Sequence, residues 1–359
     1  MKRIFKLGVV LAAAAALVAG ALSYAPIQDR IVDRAIRMQM DNSKRQALFA
    51  DDALRLLVCG SSSPFPSEDR ARPCLAVIAG GKFYVVDTGP GSWNRLALLR
   101  IPGERIGGVM FTHYHSDHIG DLGEFNMQTW VAGRPAPLQV YGPAGVARVV
   151  AGFEEAYALD DGYRVAHHGA ELLDLEKGQM QPHTLALSAD GSPATFIDDG
   201  ELKISVFAVS HAPISPAVGY RFDYKGRSLV ISGDTIKDAH LIAAAKGADL
   251  LVHEAQNQEL VAKLRATAGE LGLQRMHKVF GDIPDYHTSP VEAAQSANEA
   301  GVPLLLMYHL TPPPASRFLE RIFLRGVAAV RKDGVALARD GMLIEMPQRG
   351  GAPTISQLR

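Results

Sequence analysis

The sequence predicts a mixed α/β (α+β) domain built from two β-sheets whose outer faces are covered by helices. The chain has 359 residues, of which 47% are hydrophobic and 21% are charged, so it can bury a sizeable core. Short apolar runs separated by turn residues come first in each half of the chain, and runs with helical periodicity follow them. Two packed sheets with helices outside suit that order of elements.

In the first half, the strand-like runs precede one longer helical run. The pair Gly80-Gly81 separates two of the strands and predicts a hairpin turn. The strand-like runs are LRLLVC, CLAVIAGG, KFYVVDTG, GGVMFTH and PLQVYGP, and the helical run is AGVARVVAGFEEAY.

The second half repeats this order. Strands are predicted at ELKISVFAVSH, AVGYRFDYKG and RSLVISGDT, with DYKGR as the turn of the last hairpin. The strands ADLLVHEA and VPLLLMYH then alternate with the helical runs KDAHLIAAAKG, NQELVAKLRATAGELG and SPVEAAQSANEAG, each of which stops at a glycine. The segment GVALARDGMLIEMP predicts a closing hairpin.

Residues 1–25 predict an export signal or an N-terminal membrane anchor. The start MKRIFK is basic, and LGVVLAAAAALVAGALSYA carries no charge. An apolar run of this length can also span a bilayer uncleaved. We therefore expect an exported protein that is either periplasmic or anchored to the inner membrane facing the periplasm, in which case its N-terminus associates with the membrane.

The remaining boundaries follow from periodicity. Residues 26–50 predict an amphipathic linker helix, because apolar residues recur there at helical spacing. The main domain is expected over residues 51–350, and a tail over residues 351–359.

A cluster of metal-type side chains follows the apolar run GGVMF. His113, His115, Asp117 and His118 lie within six positions. These are more ligands than one tetrahedral zinc with an open position would take from one loop. Three further candidates end other predicted strands: His211, Asp234 and His309. The pattern predicts a site for two metal ions side by side.

These segments carry a family resemblance. HYHSDH resembles the H-x-H-x-D-H signature of the metallo-β-lactamase fold superfamily, and DTGPG resembles its early Asp-Gly loop. SGDT, VHEA, YHTSPVEAAQSANEAG and LLLMYH are similar to the branch that contains ribonuclease Z, arylsulfatase-like enzymes and cyclic-nucleotide phosphodiesterases. The resemblance implies a four-layer αββα sandwich with the metal site at one edge.

The resemblance also implies a ligand scheme. One metal belongs to His113, His115 and His211, the other to Asp117, His118 and His309, and Asp234 bridges the two. The expected cofactors are two divalent ions, most often zinc, although nitrogen and oxygen ligands also suit manganese or iron.

Catalytic roles are expected for Asp117, as a ligand, and for His287 of YHTS, which matches the proton donor of the branch. An alternative is that His287 only orients the following helix. Asp87, His253 and Glu254 are expected to orient ligands from behind, or else to be buried structural groups.

Cys59 and Cys74 are the only cysteines. They flank the loop GSSSPFPSEDRARP, and in an exported protein they can form a disulfide if their segments are antiparallel neighbours. The alternative is two buried thiols.

The leading functional hypothesis is an exported dinuclear hydrolase of small phosphodiesters or aryl sulfate esters that acts by attack of a metal-bound hydroxide. The alternatives are a lactonase or β-lactamase on the same fold, and a ribonuclease Z-like nuclease. We expect a small-molecule ester substrate, and the sequence is compatible with a homodimer. We judge tRNA unlikely, because the net charge is −1 and the turn DYKGR replaces the long tRNA-gripping arm of ribonuclease Z.

Overall fold

The structure is a computed structural model that describes residues 20–50, 52–348 and 350–358. It divides into two compact units, residues 1–47 and 48–359. Most of the predicted export segment, residues 1–19, lies outside the described residues. The described part of the chain contains no helix that is long and apolar enough to cross a membrane.

The described part of the N-terminal unit is mainly helical. Helix α1 (Ala25–Met40) is followed by the short helix α2 (Ser43–Gln46). Pro26 lies in the first turn of α1, where its missing N–H costs no intrahelical hydrogen bond. None of the side chains of α1 is buried.

The C-terminal unit contains two sheets, of eight and seven strands within the described residues. The first sheet begins with β1 (Ala53–Gly60), β2 (Cys74–Ala79), β3 (Lys82–Val86), β4 (Ile106–Met110), β5 (Leu138–Gly142) and β6 (Met180–Thr184). The second sheet follows with β7 (Ala194–Asp198), β8 (Leu202–His211), β9 (Ile214–Tyr224), β10 (Arg227–Ile231), β11 (Leu250–Gln256), β12 (Leu304–Thr311) and β13 (Val335–Leu337). The strands β14 (Met342–Pro347) and β15 (Thr354–Gln357) return to the first sheet.

Both sheets are mixed. The first has the order β15-β14-β1-β2-β3-β4-β5-β6 and is parallel from β3 onward. The second has the order β13-β12-β11-β10-β9-β8-β7 and is parallel from β10 to β13. Because β8 and β10 are both antiparallel to β9, the C-terminal ends of β8, β10, β11 and β12 meet at one edge.

Helices lie against the outer faces. The α-helices are α3 (Ser92–Leu98), α4 (Ser116–Ile119), α5 (Leu122–Val131), α6 (Val146–His168), α7 (Leu175–Gly178), α8 (Ala239–Ala245), α9 (Gln258–Glu270), α10 (Gln274–Asp282), α11 (Pro290–Ala300), α12 (Arg317–Phe323) and α13 (Val327–Val330). Short 3-10 turns cover Ala47–Phe49, Gly103–Arg105 and Ile283–Tyr286.

Alternation along the strands produces three apolar layers. Leu54, Leu56 and Val58 of β1 point between the sheets, where they meet Tyr220 and Phe222 of β9. The outer face of the first sheet packs against helices through a second cluster, and the outer face of the second sheet packs through a third. This arrangement confirms the predicted αββα sandwich.

The two cysteines join neighbouring strands. Cys59 of β1 and Cys74 of β2 form a disulfide with their Cα atoms 4.9 Å apart, and both side chains are buried. The strands are antiparallel neighbours.

The segment from residue 160 to residue 200 contains more regular structure than its polar, turn-rich sequence predicts. Helix α6 continues to His168 and ends at Gly169, whose φ is 89°. Only Val146 and Val150 of this helix are buried, so its outer part has no apolar stripe that would reveal a helix. The strands β6 and β7 lie in the same segment.

The predicted hairpin between β9 and β10 is short. Only Lys225 and Gly226 separate the strands, and both have positive φ, of 48° and 80°. This is the turn chemistry of a tight two-residue hairpin.

Candidate metal centre

Metal-type side chains from distant parts of the sequence meet at the common edge of the two sheets. One segment after β4 supplies several of them, and β8, the loop after β10 and β12 supply one each. All are buried except His115, which is half-buried. The side chains are those of His113, His115, Asp117, His118, His211, Asp234 and His309.

The backbone holds the two sheets together at this edge. The N–H of Val218 in β9 donates to the carbonyl oxygen of Thr112 at 2.9 Å, and the hydroxyl of Tyr220 donates to the carbonyl oxygen of Phe111 at 2.6 Å. The segment that carries His113 is therefore fixed against the second sheet.

Asp234 lies at the centre of the cluster. Its Oδ2 atom is 3.4 Å from Nε2 of His118, 3.2 Å from Nε2 of His309 and 4.0 Å from Nε2 of His113. Asp117 Oδ2 lies 3.5 Å from His118 Nε2 and 3.4 Å from His309 Nε2. A carboxylate between imidazoles from both halves of the site is suited to bridge two cations.

The donor atoms fall into groups in which all members lie within 4.8 Å of one another. One group is His113, His115 and His211, a second is Asp117, His118 and His309, and a third joins Asp234 to His113 and His118. The structure thus brings together all seven residues of the predicted ligand scheme. Their role as ligands remains a prediction.

Orphaned donor atoms indicate that this group of residues fits metal ions. The buried atoms His118 Nε2, His211 Nε2 and Asp234 Oδ1 have no hydrogen-bond partner among the described residues. Buried polar atoms are normally paired, so several orphans at one point need an explanation. Imidazole nitrogens and carboxylate oxygens are also ligands that zinc accepts.

The pKa values follow from burial and from the crowding of charge. Burial lowers the pKa of His113 well below its usual range, and the charge of His118 lowers it further. Burial also lowers the pKa of His211. Both imidazoles are therefore neutral near pH 7, which is the form that binds a metal.

The carboxylates act in the opposite direction. Burial tends to raise the pKa of Asp117, but His118 and His309 outweigh it and hold that pKa at about 2. Burial tends to lower the pKa of His118, yet the charges of Asp234, Asp87 and Asp117 raise it well above its usual range. The centre thus offers ionised carboxylates and attracts positive charge.

Asp87 orients His118 from behind. Its Oδ2 atom accepts from Nδ1 of His118 at 2.8 Å, and its two oxygens accept from N and Oγ1 of Thr112 at 2.9 Å each. Because Nδ1 of His118 is engaged, Nε2 faces Asp117 and Asp234. Asp87 has φ 60° and His309 has φ 47°, so two residues of the centre adopt the left-handed conformation that side chains rarely take.

His287 stands beside the centre and pairs with Glu254. Its Nδ1 lies 3.1 Å from Oε1 of Glu254, which also accepts from the N–H of Thr288 at 2.8 Å. A nitrogen of His287 lies within 4.8 Å of the donor atoms of Asp234 and His309. The structure therefore places Glu254 behind His287 rather than behind one of the seven predicted ligands.

Local sequence explains the position of His287. Ser289 is the N-cap of helix α11, and Glu292 completes a reciprocal capping box with it, so the helix begins here and His287 lies in the turn just before it. Of the other predicted supporting residues, His253 is buried and its Nδ1 contacts the carbonyl oxygen of Glu254 at 2.8 Å.

Two contacts of the centre are not evident in the sequence. Thr112 bonds to Asp87 through both N and Oγ1. The carbonyl oxygen of Tyr286 accepts from Nδ1 of His211 at 2.9 Å and so turns Nε2 of His211 towards the other histidines. A main-chain acceptor cannot be recognised from the residue type. The only signal in the sequence is that Tyr286 precedes His287, which is itself a predicted site residue.

Comparison with known proteins agrees with the fold. The sequence profile of the Beta-lactamase superfamily domain matches residues 83–310. A ribonuclease Z from Mycobacterium bovis BCG is 37% identical over 262 residues, which is 72% of this chain and 86% of that protein.

Solved structures show the same fold at lower identity. The metallo-β-lactamase fold protein YhfI from Bacillus subtilis superposes with a TM-score of 0.56 at 20% identity, over 82% of this chain and 100% of that chain. Human tRNase Z, short form, superposes with a TM-score of 0.58 at 20% identity, over 82% of this chain and 99% of that chain.

These relatives overturn the leading functional hypothesis. An exported hydrolase of small phosphodiesters or aryl sulfate esters was expected, but the curated relatives are ribonucleases by name. The relatives also overturn the expected periplasmic or membrane-anchored location and the expected membrane association. Both expectations come from an uncharged N-terminal run and not from the chemistry of the main domain.

The exclusion of tRNA as a partner, in favour of a small-molecule ester, is also wrong. It relied on the short β9–β10 turn and on the net charge of −1. A net charge averages over the whole surface and does not describe the local field at one edge, and a short turn removes one contact region without changing the centre. The relatives are ribonucleases, and one structure with this fold is a tRNase.

The motifs that resemble ribonuclease Z therefore lie in a chain that is 37% identical to a curated ribonuclease Z over most of the length of that protein. The fold of the described residues is the one that the superfamily shares. The chain belongs to the metallo-β-lactamase fold superfamily, and within it to the ribonuclease Z branch.

Proposed function

We propose that this protein is a metal-dependent ribonuclease of the ribonuclease Z type, which hydrolyses phosphodiester bonds in RNA and takes tRNA as a substrate. The observation that carries the proposal is the buried centre around Asp234, flanked by the His287–Glu254 pair. The 37% identity to curated ribonucleases Z supports the same reaction.

The first part of the proposal concerns the metal ligands. His113, His115 and His211 would hold one divalent ion, Asp117, His118 and His309 would hold the other, and Asp234 would be shared between them. Zinc suits these donors best, because each ion would have few ligands and at least two of them would be imidazoles.

When bound, two such ions supply an ionised water molecule near neutral pH and polarise the phosphoryl group. The side chains prepare the site for this chemistry. Asp87 fixes the ring of His118, and the carbonyl oxygen of Tyr286 fixes that of His211. Fixed rings keep the donor nitrogens in place, so the site needs little reorganisation during the reaction.

His287 is proposed to protonate the leaving oxygen. As the P–O bond breaks, the bonding electrons go to the leaving alkoxide, which takes a proton from Nε2 of His287. Glu254 holds Nδ1 and orients the ring, so that Nε2 is the nitrogen left to face the centre. Poor leaving groups such as a ribose alkoxide need this proton.

A cleavage assay tests the proposal directly. The purified protein, loaded with zinc, should cut a precursor tRNA that carries a 3′ extension, and removal of metal by a chelator should abolish the cut. The variant Asp234→Ala should be inactive. A matched control is Asp333→Ala, which removes an exposed carboxylate on the surface. Full cleavage by the metal-free protein, or no cleavage of any RNA by the zinc-loaded protein, would refute the proposal.

A further inference from the structure

Tyr286 places an aromatic ring directly beside the centre. Its ring centroid lies 5.0 Å from that of His211 and 4.8 Å from that of His287. The ring is half-buried, so part of it remains open to solvent. Its hydroxyl makes no hydrogen bond within the described part of the chain. The ring is thus an accessible apolar surface between a proposed ligand and the proposed proton donor.

The turn that carries this ring is held at several points. The carbonyl oxygen of Tyr286 accepts from His211, as described above. The carbonyl oxygen of Ile283 accepts from Nε2 of Gln256 at 3.3 Å. On the far side, the N–H of Thr288 donates to Glu254 at 2.8 Å. The backbone on both sides of Tyr286 is therefore anchored to the second sheet.

An apolar cluster supports the same turn. Ile283 packs against the cluster of Val261, Ala268 and Phe280. Phe280 in turn stacks on Phe65, with ring centroids 5.7 Å apart and planes at 16°. The ring of Tyr286 therefore stands on a fixed support, and a fixed aromatic surface loses little entropy when a ligand covers it.

We propose that the ring of Tyr286 stacks on the nucleobase next to the scissile phosphodiester; this inference rests on the proposed ribonuclease function. A phosphodiester that reaches the centre brings the bases of its two flanking nucleotides close to the rim, where the ring lies. Aromatic rings stack on any base, because every base has a π-face, so the contact favours RNA without demanding a sequence. The hydroxyl plays no part in this contact.

The test uses three RNA substrates of the same length, each cut at one known bond. One has normal bases on both sides of that bond. The other two carry an abasic nucleotide, one on its 5′ side and one on its 3′ side. Steady-state kinetics of the zinc-loaded full chain would be measured for wild type, Tyr286→Leu and Tyr286→Phe. Tyr163→Leu is a matched control, since Tyr163 is 67% exposed on helix α6.

We expect Tyr286→Leu to raise KM for the normal RNA by roughly 5- to 100-fold, the effect of losing one base–aromatic stack. The change should appear in KM rather than kcat, because the stack is made equally in the bound substrate and the transition state. For one of the two abasic RNAs, the KM of wild type should equal the KM of Tyr286→Leu for the normal RNA. Tyr286→Leu should not raise the KM for that abasic RNA any further. Tyr286→Phe and Tyr163→Leu should match wild type.

Three results would overturn the inference alone. The first is an unchanged KM in Tyr286→Leu. The second is an equal rise in KM on the normal and both abasic substrates, which would indicate a structural role. The third is a rise in KM in Tyr286→Phe, which would indicate a role for the hydroxyl. If wild type cleaves no RNA, the proposed function itself fails and the stacking inference falls with it. The two failures are therefore distinguishable.

Discussion

Nδ1 of His118 lies 2.8 Å from Oδ2 of Asp87, although the two residues are 31 positions apart in the sequence. Both side chains are buried. The same carboxylate accepts two hydrogen bonds from Thr112, so it is anchored before it orients the imidazole. Asp87 therefore sets which nitrogen of His118 faces the centre.

The first prediction concerns this contact. Asp87→Ala should lower metal affinity by roughly 10- to 100-fold, the usual effect of removing a residue that orients a ligand. The change leaves Nδ1 of His118 and the N–H of Thr112 without their buried acceptor. Metal titration followed by a competing chelator would measure the affinity.

Asp87→Asn serves as a comparison for this test. Asn tolerates the left-handed backbone that Asp87 adopts at φ 60°, so it separates backbone strain from the loss of the carboxylate. If both variants retain wild-type affinity, the contact to His118 does not control metal binding.

The second prediction separates the bridging carboxylate from a terminal one. Asp234 lies near imidazoles of both ligand groups, whereas Asp117 belongs to one group. We expect Asp234→Ala to lose most of both metals and Asp117→Ala to lose mainly one. Elemental analysis of protein dialysed against a fixed zinc concentration would give the content per chain.

Equal losses in these two variants would contradict the assignment of Asp234 as the bridge. A wild-type protein that is fully active with a single tightly bound ion would contradict the two-metal scheme as a whole.

The centre could be predicted from the sequence because its candidate ligands follow the ends of strands. An apolar run that ends in His or Asp indicates a strand end, and parallel strands bring their C-terminal ends together. His211 and His309 could be placed in this way without any knowledge of their neighbours. The predicted run KFYVVDTG likewise contains Asp87 near its end, and in the structure Asp87 directly follows β3.

The parts that sequence could not provide depend on tertiary packing. Nothing in the sequence shows that the carbonyl oxygen of Tyr286 contacts His211, because main-chain acceptors are the same at every residue. The partner of Glu254 is not evident in the sequence for a related reason: its neighbour in space, His287, is 33 positions away. The substrate was misjudged because a short hairpin and a net charge describe the surface and not the centre.

The third prediction concerns the proposed proton donor. His287→Ala should keep its metals but cleave RNA roughly 10²- to 10⁴-fold more slowly, because the ribose alkoxide leaves poorly without a proton. The loss should be much smaller for bis(p-nitrophenyl) phosphate used as a diagnostic substrate, since p-nitrophenolate departs unprotonated. Initial rates on both substrates, with metal content measured in parallel, would check this.

An equal loss on the two substrates would show that His287 binds or supports the site and does not deliver a proton. His277→Ala is a suitable control, because His277 is a half-buried histidine on α10 whose Nδ1 contacts the carbonyl oxygen of Arg265 at 2.9 Å, away from the seven proposed ligands.

The last prediction is a pH dependence that follows from the His287–Glu254 pair. Burial tends to lower the pKa of His287, but the charge of Glu254 and the hydrogen bond to it outweigh burial, so the pKa is raised above its usual range. A proton donor must be protonated, and kcat/KM should therefore fall as pH rises through this pKa.

Glu254→Gln removes the negative charge and keeps an acceptor oxygen near Nδ1. The pKa of His287 should then fall, and the alkaline limb of the kcat/KM profile on RNA should move to lower pH. The same variant should leave the profile of His287→Ala unchanged, because the titrating group is already absent there. A limb that stays in place in Glu254→Gln, or that shifts equally in the His287→Ala background, would assign the titration to another group of the centre.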